Sequence, residues 1–182
     1  MVDSPLMDTL AHVVYGATLC SQSGLAGGIR PPVATRRWYA DWTVWAGAVF
    51  GLLPDLVAFG PHALTYWLNG GGGDGVYWRS IQADTLLRYY WMHSLVVSLS
   101  VAGLLWRFRK AWFIPSLAWS AHIAMDALTH GAGRFQTTLF YPFSTWGLDS
   151  IRWWEHPGFM LAYWLFLPAC WLWLAWQRRI SA

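Results

Sequence analysis

Charged residues are scarce in this chain: they make up 12% of its 182 residues, whereas hydrophobic residues make up 56%. Soluble globular domains carry about twice that share of charge. The composition therefore excludes an ordinary soluble domain and indicates a membrane protein. The sequence contains neither a low-complexity tail nor a linker long enough to separate two domains, so we expect residues 1–182 to form a single integral-membrane helical domain.

Several signatures of other protein classes are also missing. The two cysteines, Cys20 and Cys170, form neither a C-x-x-C pair nor a zinc-finger spacing. A P-loop, a dinucleotide-binding fingerprint and the G-x-S-x-G motif of serine hydrolases are absent. The net charge is +3, but the basic residues lie in short groups at the ends of apolar runs, which suits lipid headgroups better than nucleic acid. We therefore expect membrane lipid, and no nucleic acid, as partner.

Long apolar runs are the main feature that remains. A helix needs about 20 mostly apolar residues to cross the hydrocarbon core. Four runs approach this length, over residues 42–60, 89–106, 111–128 and 158–176, and a shorter one covers residues 6–20. The sequence therefore predicts an all-α, polytopic membrane bundle of about five helices, with four spans and a shorter N-terminal helix.

The basic groups predict the orientation of the bundle. They fall at three places along the chain: Arg30, Arg36 and Arg37; Arg107, Arg109 and Lys110; Arg178 and Arg179. By the positive-inside rule all three groups lie on the cytoplasmic side. The N-terminus and the connections over residues 61–88 and 129–157 are then outside.

Ionisable residues recur inside the apolar runs, all near their outer ends. These residues are His12, Asp55, His93, His122, Asp126 and His130. Such groups are costly in a membrane, generally face the bundle interior and mark functional sites. Imidazole and carboxylate ligands suit zinc and, less decisively, manganese or iron. We therefore expect these six residues to bind one to three divalent metal ions, preferably zinc, at a shared outer site.

The H-x-x-x-D-x-x-x-H pattern of His122, Asp126 and His130 is the most specific element. Residues four apart lie on one face of a helix. The two histidines would be about 12 Å apart along a straight helix, too far to share an ion. Either the helix ends early, which Gly131 and Gly133 allow, so that His130 curls back, or the stripe serves two ions.

Further residues have weaker claims on the site. Asp8, four residues before His12, is a candidate partner that orients that imidazole, although a purely structural hydrogen bond fits equally well. Glu155 and His156 either supply ligands or anchor the interface. Arg134 and Arg152, on the predicted outer connection, could bind a lipid phosphate or make ordinary headgroup contacts.

Several segments together resemble one family. DTLAHVVYGATL, GLLPDL, MHSLVVSL and AHIAMDALTHGAG followed by TLFYPFS are similar to the YdjM-type family of bacterial inner-membrane, metal-dependent hydrolases, which is distantly similar to zinc-dependent phospholipases C. The resemblance implies a multi-pass inner-membrane protein with a periplasmic-face site that acts on a lipid or lipid-linked phosphoester. It carries over to His12, Asp55, His93, His122, Asp126 and His130. Two positions depart from the family pattern: Val57 replaces an acid, and Arg88–Tyr89 replaces a His-Arg pair.

Metal-assisted hydrolysis is the expected function, because a divalent ion acidifies water and polarises an ester oxygen without a serine or cysteine nucleophile. We expect Asp55, Asp126 and His130 to be the catalytic residues. Two alternatives remain open. The polar cluster could be an ion or proton pathway in a small transporter, or a structural metal site that holds together a non-catalytic membrane assembly protein.

Overall fold

The regular secondary structure of the described residues is entirely helical. The computed structural model describes residues 5–29 and 37–180, and the side chains of all of these except residues 5–8, 74–75 and 154. This part of the chain contains no strand and seven α-helices: α1 (Pro5–Leu19), α2 (Trp42–Leu68), α3 (Asp74–Ser80), α4 (Ala83–Met92), α5 (Leu95–Phe108), α6 (Lys110–Thr129) and α7 (Pro157–Ile180). The predicted all-α bundle is confirmed.

The number of membrane spans is lower than predicted. Among the described helices, α2 and α7 are long and apolar enough to cross a membrane, and the pair α4 and α5, bent by 50°, would make a third if it counts as one span. The predicted run 89–106 is interrupted because α4 ends at Met92 and α5 begins at Leu95. The N-terminal run forms α1, which has 15 residues and is therefore too short to span alone.

The predicted span over residues 111–128 forms α6, which is the central helix instead. It packs against α1, α2 and α5, and its buried residues include polar ones such as Ser116, His122 and Asp126. These polar residues lower its apolar content below that of a lipid-exposed span. Neighbouring helices, rather than lipid, cover them.

Helix α2 is longer than the predicted run 42–60. It has 27 residues and contains Pro54 and Pro61. Two contacts stabilise the helical turn after Pro61. The ring centroids of His62 and Tyr77, which belongs to α3, are 5.0 Å apart, and Thr65 Oγ1 donates a hydrogen bond to the Pro61 carbonyl. Asp55 consequently lies at the middle of α2, about 20 Å from either end, and not near its outer end as predicted.

Helices α1 and α2 touch through glycine. A Cβ atom on Gly16 would lie 2.3 Å from the Gly47 carbonyl oxygen, and one on Gly51 would lie 2.4 Å from the His12 carbonyl oxygen. Gly47 and Gly51 form a G-x-x-x-G pair, the spacing that lets membrane helices approach closely. This contact sets His12 of α1 directly beside Gly51 of α2.

One end of the bundle is fixed by Asp41, which caps α2. Its Oδ1 accepts hydrogen bonds from Thr43 N (2.9 Å) and Thr43 Oγ1 (2.6 Å), and its Oδ2 accepts one from Ser23 N (2.7 Å). Burial alone would raise the pKa of the Asp41 carboxyl, but these hydrogen bonds outweigh burial and lower that pKa. Asp41 therefore ties the loop after α1 to the start of α2.

The described members of the three basic groups of the sequence gather at this same end. Trp42 and Trp112, near the starts of α2 and α6, have ring centroids 4.9 Å apart. Arg178, near the end of α7, donates a hydrogen bond to the Gly28 carbonyl at 3.0 Å. Arg37, Arg109, Lys110 and Arg179 adjoin these contacts in the chain; Arg30 and Arg36 lie outside the described residues.

The connection over residues 130–156 folds back over the break between α4 and α5. Leu95 N, in the first turn of α5, donates a hydrogen bond to the Leu139 carbonyl (2.9 Å), and Ser94 Oγ donates one to the Tyr141 carbonyl (2.6 Å). The Ser94 hydroxyl also caps α5 by accepting from Val96 N. Residues 139–141 thus fix where α5 begins.

We predict that Gly51→Ala destabilises the protein by about 1–3 kcal/mol or more, because the new methyl group would overlap the His12 backbone. The measurement is thermal unfolding in detergent, followed by circular dichroism. Gly103→Ala is the matched control: Gly103 lies in α5, where an added Cβ atom would meet no other atom within 4 Å, so alanine there should stabilise the helix slightly. Equal unfolding temperatures for the two variants would contradict the close α1–α2 contact.

Candidate metal centre

Five ionisable side chains from four parts of the chain meet inside the bundle. His12 comes from α1, Asp55 from α2, His93 from the break between α4 and α5, and His122 and Asp126 from α6. The three histidines and Asp126 are at most 3% exposed, and the Asp55 side chain is 15% exposed. The structure therefore brings together five of the six residues of the predicted metal site in one buried cluster.

The orientation of two imidazoles is fixed by backbone carbonyls. His122 Nδ1 lies 2.7 Å from the Gly51 carbonyl oxygen, and His93 Nδ1 lies 3.0 Å from the Tyr89 carbonyl oxygen. A carbonyl oxygen can only accept, so both Nδ1 atoms carry a proton and donate it. In the neutral rings, the Nε2 atoms are then lone-pair acceptors, the form in which histidine binds metal.

Three acceptor atoms converge at this point. His93 Nε2 and His122 Nε2 are 3.2 Å apart, and they lie 3.2 and 3.3 Å from Asp126 Oδ2. Lone pairs this close repel one another unless a cation, either a proton or a metal ion, lies between them. This group of His93, His122 and Asp126 can bind a metal ion.

A second group overlaps the first. His12, Asp55 and His122 also place ligand atoms close enough to hold one ion, and Asp55 Oδ1 lies 3.5 Å from His93 Nε2 and 3.7 Å from His122 Nε2. His122 belongs to both groups, yet its Nδ1 is already bound to a carbonyl and its Nε2 can bind one ion. The two groups therefore form one centre with shared ligands.

The charge of the centre favours a divalent cation. Asp55 and Asp126 contribute two negative charges if ionised, and neutral histidines contribute none. Burying uncompensated charge is costly in a protein interior. The Asp126 carboxylate faces histidines on both sides, with Oδ1 at 3.2 Å from His12 Nε2 and Oδ2 towards His93 and His122. A divalent ion in this cluster would neutralise both carboxylates.

His130 lies at the edge of this centre. Helix α6 ends at Thr129, and His130 follows in an extended conformation with φ −113° and ψ 129°. Its Nδ1 lies 3.2 Å from the Asp126 carbonyl oxygen and 3.7 Å from Asp126 Oδ1, and its side chain is 20% exposed. The sequence left two arrangements open, and the structure has the first of them: the helix ends before His130, and the His130 side chain turns back towards Asp126. It belongs to neither of the two metal groups found among the described residues.

The other predicted site residues lie outside the cluster, or their side chains are outside the described residues. The side chain of Asp8 is outside the described residues, so its pairing with His12 stays a prediction. Glu155 pairs with Arg152 at 3.5 Å on the surface, His156 is exposed, and neither Glu155 nor His156 belongs to a metal group within the described part of the chain. Arg134 donates hydrogen bonds to the carbonyls that end α3, those of Trp78 and Ile81.

Sequence reasoning did not identify the residues that hold the ligands in place. Thr9 Oγ1 donates a hydrogen bond of 2.5 Å to Asp55 Oδ2. The Tyr89 ring stacks on His93 with centroids 3.9 Å apart, and Trp119 Nε1 donates to the Met92 carbonyl, next to His93, at 2.6 Å. The sequence spacing could have identified two of these residues, because Thr9 and Tyr89 lie one helical turn before His12 and His93.

Comparison with known proteins gives no further identification: no protein-family model, curated protein or solved structure matches this chain. The resemblance to the YdjM-type family therefore stays a prediction.

We predict that Thr9→Val weakens metal retention by about tenfold, because residues that orient a metal ligand typically contribute this much to affinity. Valine keeps the shape of threonine but cannot donate to Asp55. Thr9→Ser keeps the hydroxyl and should retain metal like the wild-type protein. The measurement is metal loss during titration with a chelator, and equal retention by the valine and serine variants would contradict this role.

Proposed function

We propose that this protein is a zinc-dependent hydrolase that cleaves an ester in a membrane lipid or lipid-linked phosphate. The observation that carries the proposal is the triangle of His93 Nε2, His122 Nε2 and Asp126 Oδ2, with sides of 3.2, 3.2 and 3.3 Å. A tetrahedral zinc ion held at 2.0–2.1 Å spaces its ligands about 3.3–3.4 Å apart. The triangle supplies three protein ligands and leaves a fourth position beside Asp55 Oδ1, which lies 3.5 and 3.7 Å from the two Nε2 atoms. Three protein ligands with a fourth position for water or substrate are typical of catalytic rather than structural zinc.

The bound ion would acidify water and polarise the phosphoryl or carbonyl oxygen of the ester. In the hydrolysis, the water oxygen bonds to phosphorus or carbonyl carbon, the bond to the leaving alcohol oxygen breaks, and that oxygen gains a proton. Asp55 takes the proton from the attacking water: its side chain is more exposed than that of Asp126, at 15% against 4%. Thr9 donates a hydrogen bond to Asp55 Oδ2, while Oδ1 lies towards His93 and His122. His130, at the exposed edge, is placed to give a proton to the leaving oxygen.

The location of the centre supports a lipid substrate near the periplasmic face. With the basic end of the bundle on the cytoplasmic side, the middle of α2 lies about 20 Å away from that end, in the outer part of a hydrocarbon core about 30 Å thick. The apolar helices α2 and α7 keep the protein in the bilayer that supplies the substrate. We accordingly place the protein in the bacterial inner membrane with its N-terminus outside.

The first test is the metal content of protein purified in detergent, measured by elemental analysis. Wild-type protein should contain stoichiometric zinc, and His122→Ala and Asp126→Ala should lose most of it because each removes one corner of the triangle. His62→Ala is the matched control, since His62 bonds to Ser80 in α3 and not to the centre. A folded, metal-free wild-type protein would remove the hydrolase proposal.

The second test separates catalysis from a structural metal. Asp55→Asn keeps the size of the side chain but removes the proton acceptor, so at a zinc concentration that saturates the variant we expect release of phosphate or diacylglycerol from mixed lipids to fall by about 100-fold or more. If zinc-loaded wild-type protein cleaves none of these lipids and loses stability when zinc is removed, the ion has the structural role instead.

A further inference from the structure

The connection over residues 130–156 carries two arginines that differ in their surroundings. Arg134 donates hydrogen bonds to two backbone carbonyls, those of Trp78 and Ile81. These bonds attach the connection to the end of α3 and occupy the guanidinium. Arg152 makes no comparable attachment among the described residues, because its hydrogen bond goes to a surface carboxylate at 3.5 Å.

Arg152 lies beside the exposed edge of the metal centre. Its side chain covers Gly131, where an added Cβ atom would lie 2.9 Å from Arg152 Nε. Gly131 directly follows His130, whose ring is 3.7 Å from the Asp126 carboxylate. The segment before Arg152 is fixed to the same place, since Ser150 N donates a hydrogen bond to the His130 carbonyl. Arg152 therefore lies next to the segment that carries His130.

The Arg152 guanidinium makes one long hydrogen bond in the described part of the chain, to Glu155. The nearby Asp149 Oδ1 accepts instead from Ala132 N. Glu155 is 3.5 Å away from Arg152, and the two side chains are 48% and 52% exposed. Exposed pairs of this kind contribute little energy. Arginine matches phosphate with two parallel hydrogen bonds, which is a stronger interaction than a long surface ion pair. A phosphate could therefore replace Glu155 as the partner of Arg152.

A mostly apolar depression adjoins this arginine. It is lined by Ile151, His156, Pro157, Gly158 and Phe159, which flank Arg152 and Glu155 in the chain. The depression lies where α7 begins, and α7 is apolar enough to span a membrane. The end of such a helix lies at the level of the lipid headgroups. A cation and an apolar surface thus lie side by side where a phosphate and the first carbons of a lipid would meet.

We propose that Arg152 determines substrate specificity by binding the phosphate of an anionic phosphoester lipid, while Glu155 competes with that phosphate for the guanidinium. The inference deepens the proposed function and depends on it, because it names the substrate class of the same centre. The lipid phosphate lies between Arg152 and His130, and the carbons next to it occupy the depression.

Binding provides a test that does not need turnover. Phosphatidic acid is titrated into metal-free protein in detergent micelles, and the bound lipid is measured by native mass spectrometry. Arg152→Gln should weaken binding about tenfold, because a charged hydrogen-bond pair is lost, and Glu155→Gln should strengthen it about twofold to threefold, because a weak competing pair is removed. Arg107→Gln is the matched control. Arg107 lies in the last turn of α5, at the basic end of the bundle and away from residues 130–156, so this substitution should have no effect on lipid binding.

Turnover distinguishes the lipid from a soluble phosphate. Zinc-loaded protein is assayed with phosphatidic acid, with glycerol 3-phosphate and with the neutral ester dioleoylglycerol. Arg152→Gln should raise KM for phosphatidic acid about tenfold with kcat nearly unchanged, and any cleavage of dioleoylglycerol should be the same in the variant and the wild-type protein. A lower KM for phosphatidic acid than for glycerol 3-phosphate is expected if the depression contributes, and the reverse order would overturn the lipid part of the inference.

The outcomes also separate this inference from the proposed function. Arg152 does not bind a substrate phosphate if binding and KM for phosphatidic acid are the same in Arg152→Gln and wild-type protein, or if only the neutral ester is cleaved. The hydrolase proposal stands in both cases. If zinc-loaded protein cleaves nothing, the proposed function fails, and the binding titration alone then decides whether Arg152 holds an anionic lipid.

Discussion

Two hydrogen bonds from histidine rings to backbone carbonyls determine the chemistry of this protein's interior. His122 donates to Gly51 and His93 donates to Tyr89, so that both rings present unprotonated Nε2 atoms to the Asp126 carboxylate when neutral. Each carbonyl belongs to a helix held by other contacts: Gly51 by the close approach of α1, and Tyr89 by the hydrogen bond from its hydroxyl to the Phe135 carbonyl. The candidate metal centre therefore depends on helix packing as much as on its own side chains.

The same packing encloses α6, the helix that carries two of the candidate ligands. Helix α6 carries His122 and Asp126 and lies between α1, α2 and α5, which shield those side chains from lipid. Polar groups inside a bilayer must find their partners within the protein. The distribution of function follows from this constraint. The enclosed helix carries candidate metal ligands, and the helices α2 and α7 are long and apolar enough to cross a membrane.

The sequence was sufficient to predict the helical class and the residues that converge, because ionisable groups in apolar runs find few polar partners except one another. It could not predict how the runs divide. The break at His93 depends on hydrogen bonds from Ser94 and Leu95 to a segment more than 40 residues later. The continuation of α2 beyond Pro61 depends on packing against α3. Both are tertiary contacts, and neither leaves a periodic signal in the local sequence.

The pairing of Thr9 with Asp55 has a consequence for biosynthesis. The chain emerges from the ribosome N-terminus first, so α1 and α2 are complete about 40 residues before α6 begins. During that interval Asp55 is present without His122 and Asp126. The 2.5 Å hydrogen bond from Thr9 comes from a helix already made, and it gives the nascent helical hairpin a partner for its carboxylate until the later helices arrive.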